Sequence, residues 1–392
     1  MLKSIRLQNF FGFQDCTINL EKGANVLVGI NGSGKSNFFK AVKLLKQMPT
    51  SDGITDLLFP EFGGFDNIFF AKKQPINRIF LTALLSTVDN EDYLFSDYSS
   101  YTYSFEIYNP TRAVFYLSEN VIGITKNGDE SELLNSNGIN EYTILVKEKL
   151  LQKKIKNSSK SLLSEGMMDS LHNFIYDLKE DLSEVRIYDN INTSKESSIR
   201  KLNPPRLENY LLPDGSNLSS LLNDIKLTDK ETYNRIVGAL KNVSNKFLGI
   251  EFKQLSGFIE MWLEEDGLNR AISPIHISDG TLKFLCLIAI LYNPNRGSVV
   301  CIDEPELGLH PDMIFTLYEA IEFASETSQV IISTHSAHLL DYFELKQIRV
   351  FEKDENNATV VKQLEEKEFE GWYEKFYPGQ MWRAGNIGGN RW

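Results

Sequence analysis

A glycine-rich turn near the start of the chain has the residue types needed to hold a phosphate chain. Residues 29–36 read GINGSGKS and fit the pattern G-x-x-x-x-G-K-[S/T]. The glycines permit a tight turn whose backbone N–H groups face a phosphate, Lys35 is placed to neutralise phosphate oxygens, and Ser36 offers a hydroxyl to Mg²⁺. We therefore predict a nucleotide site made by Asn31, Gly32, Ser33, Gly34, Lys35, Ser36 and Asn37.

Two carboxylates follow an apolar run later in the chain. The segment SVVCIDE ends in Asp303 and Glu304, which places both acids at the tip of a predicted buried strand. There Asp303 can hold Mg²⁺ through water and Glu304 can polarise an attacking water. A solvated loop start is the alternative for two adjacent acids, but the apolar run and the upstream phosphate loop favour a catalytic pair.

Two further segments complete the set of candidate residues. QVIISTHS ends an apolar run in His335, which can donate a hydrogen bond to a γ-phosphate; a histidine that merely ends a strand is the alternative. In HISDGT, Ser278 can cap a helix that starts around Gly280 and whose free N–H groups bind anions. A simple helix cap is the alternative there.

The composition limits the class of protein. The chain has 392 residues, 42% hydrophobic and 24% charged, which fits one large or two smaller globular domains. No apolar run is long enough to span a membrane, and the opening MLKSIRLQNFFGF lacks the features of a signal peptide. Three widely spaced cysteines, Cys16, Cys286 and Cys301, argue against a disulfide framework. We expect a cytoplasmic protein with no membrane partner.

The charge distribution bears on nucleic-acid binding. A net charge of −12 means that any such contact needs a local basic patch. The basic run KEKLLQKKIKNSSK, residues 147–160, is one candidate. We favour the alternative that this run is the solvated face of a helix.

The pattern of apolar residues predicts an α/β protein. Residues 24–30 read as a buried strand followed by a helix that ends at Pro49, and SVVCIDE, QVIISTH and QIRVFEK read as buried strands separated by helices. Between residues 76 and 146, β-rich runs separated by Asn, Gly and Asp predict hairpins. From about residue 147 to 250 the pattern is mostly helical.

The order of these motifs resembles the ATP-binding-cassette (ABC) ATPases of the RecF-like and SMC-like branch, which includes OLD-related proteins. GINGSGKS looks like Walker A, ISDGT like the signature loop, VVCIDE like Walker B, and STHS like the switch-histidine segment. The opening IRLQNFFGFQDCTINL resembles the segment that lies beside adenine and ribose in that branch. The likeness covers about residues 1–48 and 270–352; the long stretch between Ser36 and Asp303 and the run DEPELGLHP argue against a transporter cassette.

The resemblance implies a fold and a domain plan. The fold is an α/β P-loop NTPase with an ABC-type head, a mixed sheet, a β-hairpin subdomain and an inserted helical lobe. Residues 1–146 and 266–371 form the two-lobed head, and 147–265 form the mainly helical insertion. Residues 372–392 are a tail that either docks a partner, with anchors at Trp372, Tyr377, Trp382 and Trp392, or packs on its own domain.

The resemblance also implies a mechanism with ATP and Mg²⁺ as cofactors. Two copies pack head to tail, so that Ser278 and Gly280 of one reach the ATP held by Lys35 of the other, and hydrolysis at Glu304 releases the dimer; a higher oligomer is possible. The signature departs from LSGGQ at Asp279 and Thr281, and an acid at that place is expected to weaken ATP affinity. Gln74 and Gln152 are the candidates for the glutamine loop.

Three biological roles remain open at this stage. Small members of this branch resemble bacterial anti-phage ATPases that control a separate effector, a nuclease or toxin. No built-in nuclease is expected, because the residues after Ser336 lack the Glu and Asp-x-Asp set of the Toprim domain found in OLD-type relatives. The alternatives are a DNA-binding repair or clamp ATPase of the RecF or SMC kind, and a nucleotide-gated interaction module that hardly turns over.

Overall fold

The computed structural model describes residues 1–51, 53–70, 77–86, 98–111, 114–146, 149–164, 173–369 and 376–388. Its strands are β1 (Leu2–Phe10), β2 (Phe13–Asn19), β3 (Ala24–Gly29), β4 (Arg78–Ser86), β5 (Tyr98–Tyr108), β6 (Tyr116–Thr125), β7 (Glu130–Ser136), β8 (Glu141–Val146), β9 (Lys149–Lys154), β10 (Val185–Tyr188), β11 (Phe247–Leu255), β12 (Phe258–Glu265), β13 (Val299–Ile302), β14 (Gln329–Thr334), β15 (Ile348–Lys353) and β16 (Thr359–Gln363). Its α-helices are α1 (Lys35–Gln47), α2 (Ile54–Phe62), α3 (Asn173–Ser183), α4 (Leu218–Thr228), α5 (Lys230–Val243), α6 (Asp279–Tyr292), α7 (Met313–Ser325), α8 (Ala337–Leu340) and α9 (Pro378–Arg383).

A six-stranded sheet in the order β10-β13-β14-β3-β15-β16 brings the predicted motifs together. Its strands run parallel except for β16, which is antiparallel to β15. Every residue of β3, β13 and β14 is buried, as expected of strands covered on both faces. Because parallel strands end at the same edge, the segments after β3, β13 and β14 meet there.

The two faces of this sheet support two hydrophobic cores. Leu27 of β3 belongs to a first core shared with α1, α3 and the second large sheet, whereas Val26 and Val28 belong to a second core shared with α4–α8. The helix α6 is buried nearly all round within the second core. Its N-terminal end, which carries the signature segment, is therefore fixed by packing.

The second large sheet is antiparallel and has eight strands in the order β2-β1-β4-β5-β6-β7-β8-β9. Along β4 buried residues alternate with partly exposed ones, so one face covers the first core. The strands and hairpins predicted between residues 76 and 146 are present within the described part of that range.

Residues 147–265 contain strands that the sequence pattern did not indicate. Besides α3, α4 and α5, the structure has β9 at the edge of the eight-stranded sheet, β10 in the six-stranded sheet and the hairpin β11–β12.

The expectation of a solvated helix within the basic run was wrong for residues 149–154, which form β9 with all six side chains exposed. Pairing with β8 overrides the helix propensity of Lys, Leu and Gln there. The domain boundaries themselves stay a prediction.

The described part of the C-terminal tail folds onto its own domain. Met381 and Ile387 are buried in the second core, and the backbone N–H of Gly379 donates a 2.8 Å hydrogen bond to Asp341 Oδ1 beside α8. A Cβ at residue 379 would lie 1.8 Å from the carbonyl oxygen of Ala337, so only glycine allows this approach. Tyr377 is exposed and its docking role stays a prediction, whereas Trp372 and Trp392 lie outside the described residues.

Two chain-wide features complete the description. Each of the three cysteines is a free, buried thiol. Among the helices of the described ranges, none is long and apolar enough to cross a membrane.

Candidate nucleotide-binding site

The predicted phosphate loop joins β3 to α1 in a conformation that requires glycine. Gly32 and Gly34 have φ values of +80° and +115°, in the left-handed region that favours glycine. At Gly29 a Cβ would lie 2.5 Å from the carbonyl oxygen of Phe351, so the loop also approaches β15 closely. The Ser33 hydroxyl is buried with no hydrogen-bond partner among the described residues, which leaves an unused donor in the loop.

Thr359 at the start of β16 supports this loop, a role that the sequence did not indicate. Its hydroxyl donates a 2.8 Å hydrogen bond to the carbonyl oxygen of Ser33, and its N–H donates a 2.7 Å bond to the carbonyl oxygen of Gly12. Lys353 Nζ in turn donates to the Thr359 hydroxyl oxygen at 3.0 Å. These bonds tie the phosphate loop to the turn between β1 and β2.

Lys35 is the first residue of α1 and only 5% exposed. Its ammonium donates hydrogen bonds of 2.7 Å to the carbonyl oxygen of Gly29 and 3.3 Å to that of Ile30, so it curls back over the loop. Burial lowers the pKa of Lys35 to about 8, an effect opposed by the nearby carboxylates of Asp303 and Glu304 and a third carboxylate, Glu306. A buried ammonium that has lost much of its hydration binds an anion favourably.

Asp303 and Ser36 provide adjacent oxygen atoms at the sheet edge. The carboxylate of Asp303 accepts hydrogen bonds from the hydroxyls of Ser333 and Ser36. Burial raises the pKa of Asp303, and both hydrogen bonds oppose that rise. A hydroxyl next to a carboxylate fits Mg²⁺, which prefers oxygen ligands and keeps several waters, so this pair suits the predicted metal ion.

Glu304 and His335 face each other from the ends of β13 and β14. His335 Nε2 lies 3.4 Å from Glu304 Oε1, and each side chain is about one-third exposed, at 34% and 35%. Glu304 has a φ of +47°, a strained value for a residue with a side chain and one that clusters at functional sites. Burial, with help from the charge of Lys35, lowers the pKa of His335, so the imidazole is neutral at neutral pH.

A cavity of about 630 Å³ lies at this edge of the sheet. Its lining combines the phosphate loop, Glu304 and His335 with one residue from the C-terminal tail: Gly29, Ile30, Asn31, Glu304, His335 and Trp382. From the sequence, Trp382 is predicted only as a docking anchor, because nothing local connects residue 382 with residue 29.

Glu306 positions the turn that carries His335 and was not singled out from the sequence. Its Oε1 accepts hydrogen bonds of 2.7 Å from the hydroxyl of Thr334, 3.0 Å from the N–H of His335 and 3.2 Å from the N–H of Ser336. The carboxylate therefore joins the segment after β13 to the turn after β14.

Ser278 caps α6 at the predicted helix start. Its Oγ accepts a 3.1 Å hydrogen bond from the N–H of Thr281 and donates a 2.7 Å bond to the Thr281 hydroxyl oxygen. A Cβ at Gly280 would lie 2.6 Å from the carbonyl oxygen of Gly308, so this glycine packs against the segment after β13. Neither Ser278 nor Gly280 lines the cavity described above.

Arg200 holds the loop that leads into α6 and was also missed from the sequence. It is 4% exposed, and its guanidinium donates to the carbonyl oxygens of Thr193, Pro274 and Ile277. The same guanidinium forms an ion pair with Asp279. The signature acid therefore has its own cation, which reduces the repulsion of phosphate expected from Asp279.

Of the two glutamine-loop candidates, Gln152 is described and does not lie at this edge. Gln152 is exposed on β9, at the outer edge of the eight-stranded sheet, where it donates a hydrogen bond to Glu141. Gln74 lies outside the described residues.

Comparison with known proteins decides the family. Residues 24–341 match the AAA_21 model, described as "AAA domain, putative AbiEii toxin, Type IV TA system". The chain belongs to the AAA_21 family. The matched range of this AAA_21 protein includes the phosphate loop, the signature segment, Asp303, Glu304 and His335.

One curated relative and two solved structures extend this result. The AAA_21 chain is 40% identical over 72 residues to the Old nuclease of Escherichia phage P2, a match that covers 18% of the chain and 12% of that nuclease. An Smc head bound to the C-terminal winged-helix domain of ScpA aligns with a TM-score of 0.58 at 14% identity, over 94% of this chain and 99% of that one. An Smc head with an extended coiled coil, bound to the C-terminal domain of ScpA from Pyrococcus furiosus, aligns with a TM-score of 0.55 at 12% identity, over 95% and 98%.

These similarities confirm the fold and the family resemblance predicted from the motifs. The AAA_21 protein has the fold of an ABC-type P-loop ATPase head. It shares this fold with Smc heads, and a 72-residue part of it is similar to the Old nuclease.

Proposed function

We propose that the protein binds and hydrolyses ATP, and that two copies close around the nucleotide. The observation that carries this proposal is the meeting of Lys35, Glu304 and His335 at one sheet edge, around a cavity of about 630 Å³. This combination supplies a phosphate loop, a carboxylate that can accept a proton from water, and a γ-phosphate contact in one place.

Each residue has a distinct task in the proposed reaction. The loop N–H groups and Lys35 hold the phosphates, and Ser36 and Asp303 hold Mg²⁺, which when bound neutralises charge on the triphosphate. Glu304 orients a water and accepts its proton, and neutral His335 donates a hydrogen bond to the γ-phosphate. Because His335 Nε2 lies 3.4 Å from Glu304 Oε1, the γ-phosphate contact and the water-activating carboxylate are side by side.

The dimer is proposed because the signature end does not line the cavity of its own chain. Ser278 and Gly280 sit at the N-terminal end of α6, whose cap and close packing hold that end rigidly. In a head-to-tail pair this end covers the nucleotide of the other copy, so ATP acts as part of the interface. Turnover per chain should then rise with protein concentration.

The proposed role is control of a separate effector, a nuclease or toxin, in bacterial anti-phage defence. The match to part of the Old nuclease and the toxin named in the family description support it. The effector is a separate chain in this proposal.

A DNA-binding repair or clamp role is the second candidate, and one observation favours it. The edge strand β9 exposes Lys149, Lys153 and Lys154, a local cationic strip on an otherwise acidic chain. If this role holds, duplex DNA binds the ATP-loaded protein in a salt-dependent way, and changing the three lysines to glutamate abolishes that binding.

The experiment for the proposed function measures the solution mass of the Glu304→Gln chain with Mg-ATP and with Mg-ADP. We expect a dimer with ATP and a monomer with ADP, and a monomer under both conditions when Ser278→Arg is added. A monomer with ATP at every concentration rejects the ATP-bridged dimer.

Co-expression with neighbouring genes then tests the effector: a stoichiometric second protein supports it, and a bare dimer carrying DNA supports the clamp.

A further inference from the structure

The C-terminal helix α9 supplies one wall of the nucleotide cavity. Trp382 lines this cavity together with Gly29, Asn31, Glu304 and His335. Those four residues surround the position that the proposed function assigns to the end of the triphosphate. The family match ends at residue 341, so α9 lies beyond the part of the chain that the family accounts for.

The position of α9 is linked to the switch histidine through α8. Ser336, the residue after His335, caps α8 by accepting a 3.1 Å hydrogen bond from the N–H of Leu339. The helix α9 then packs on α8, where Gly379 lies against the carbonyl oxygen of Ala337. The turn at His335 and the helix that carries Trp382 therefore share α8 as a support.

The indole of Trp382 is available to a ligand. Its ring is partly buried against the second core, which fixes its orientation. The side chain is only partly buried, so the indole can be reached from the cavity that it lines. The exposed Arg383 follows directly in α9 and adds positive charge to this helix.

We propose that Trp382 binds the terminal phosphate of the nucleotide, with its indole N–H donating a hydrogen bond to a γ-phosphate oxygen and its ring excluding water from that side. The C-terminal helix thereby distinguishes a nucleoside triphosphate from a diphosphate. This inference rests on the proposed function, because it uses the same phosphate loop.

Calorimetric titration with Mg²⁺ and either a non-hydrolysable ATP analogue or ADP tests the inference. Trp382→Phe keeps the ring packing and removes the donor. We expect about tenfold weaker binding of the ATP analogue, the size of one lost hydrogen bond to a charged group, and less than about twofold change for ADP. Trp262→Phe is the matched control, since Trp262 lies on β12 and its Nε1–H already donates a 2.6 Å bond to Glu260; it should bind both nucleotides normally.

Tryptophan fluorescence gives a second readout on the same proteins. The ATP analogue should change the emission of the natural chain and of Trp262→Phe, and this change should be lost in Trp382→Phe. The inference is overturned if the natural chain and Trp382→Phe bind the ATP analogue with equal affinity and Trp382→Phe keeps the emission change. The proposed function is unaffected by that result. No binding of either nucleotide to the natural chain overturns both.

Discussion

His335 Nε2 lies 3.4 Å from Glu304 Oε1, and the two residues come from the ends of adjacent parallel strands, β14 and β13. The contact places an imidazole nitrogen beside the carboxylate proposed to activate water. The neutral imidazole that burial enforces leaves that carboxylate free to accept a proton.

Protonation of His335 should therefore lower ATP turnover. The pKa of His335 lies below its ordinary value of 6.5, so the imidazole becomes charged only in more acidic solution. An imidazolium beside Glu304 stabilises the carboxylate and makes it a weaker base. We expect turnover to be constant just above pH 6.5 and to fall at pH values below 6.5. Steady-state phosphate release with saturating Mg-ATP measures it. Turnover by His335→Gln should be at least about a hundredfold slower and should no longer fall in acidic solution. If the turnover of this variant falls with pH as in the natural chain, the fall comes from another group.

Nucleotide affinity should fall in alkaline solution because Lys35 loses its proton there. Its pKa of about 8 in the free protein means that the ammonium loses its proton above that pH. The nucleotide prefers the charged form, so binding must then take up a proton and the affinity falls by up to about tenfold per pH unit. Calorimetry at a series of pH values measures this decline. Lys35→Met should bind weakly without the decline, and a flat affinity in the natural chain from pH 7 to 10 contradicts the assignment.

Glu306 should affect turnover through the position of His335. Glu306→Ala leaves the hydroxyl of Thr334 and the N–H of His335 without their acceptor, which costs about 1–3 kcal/mol of stability, whereas the N–H of Ser336 keeps its 2.9 Å bond to Thr334 Oγ1. We expect a lower kcat with nucleotide affinity within about twofold of normal. Glu306→Gln keeps an acceptor oxygen and should restore most of the kcat; a Gln variant as slow as the Ala variant points to a direct role of the charge.

Arg200 should act on the nucleotide of the other copy. Arg200→Lys keeps a charge but cannot reproduce the forked contacts to the carbonyl oxygens of Pro274 and Ile277 and to Asp279. We expect normal binding of nucleotide by the single chain and a loss of turnover. Mixing this variant with Lys35→Met should restore activity, because one partner has an intact phosphate loop and the other an intact signature end.

The control for that mixture is Lys35→Met with Glu304→Gln. Both changes lie on the same side of the proposed interface, so no mixed dimer has a complete site and no activity should return. If Arg200→Lys also fails to recover, Arg200 supports its own chain rather than the nucleotide of the partner.

The sequence predicted the parts of the site that are encoded locally. The phosphate loop, the acids after β13 and the histidine after β14 each follow a short apolar run, and parallel strands bring such ends together. Arg200, Thr359 and Trp382 were missed because their roles come from contacts with distant residues: Arg200 reaches the loop before α6, and Thr359 reaches Ser33. The strand β9 was missed because its pairing, rather than its composition, determines its conformation.

The most direct test of the account is phosphate release from Mg-ATP by the purified natural chain and by Glu304→Gln, each at several protein concentrations. We predict that turnover per molecule of the natural chain rises with concentration, and that Glu304→Gln still binds ATP but turns over about a hundredfold more slowly or less. No release by the natural chain at any concentration, or equal release by both chains, contradicts it.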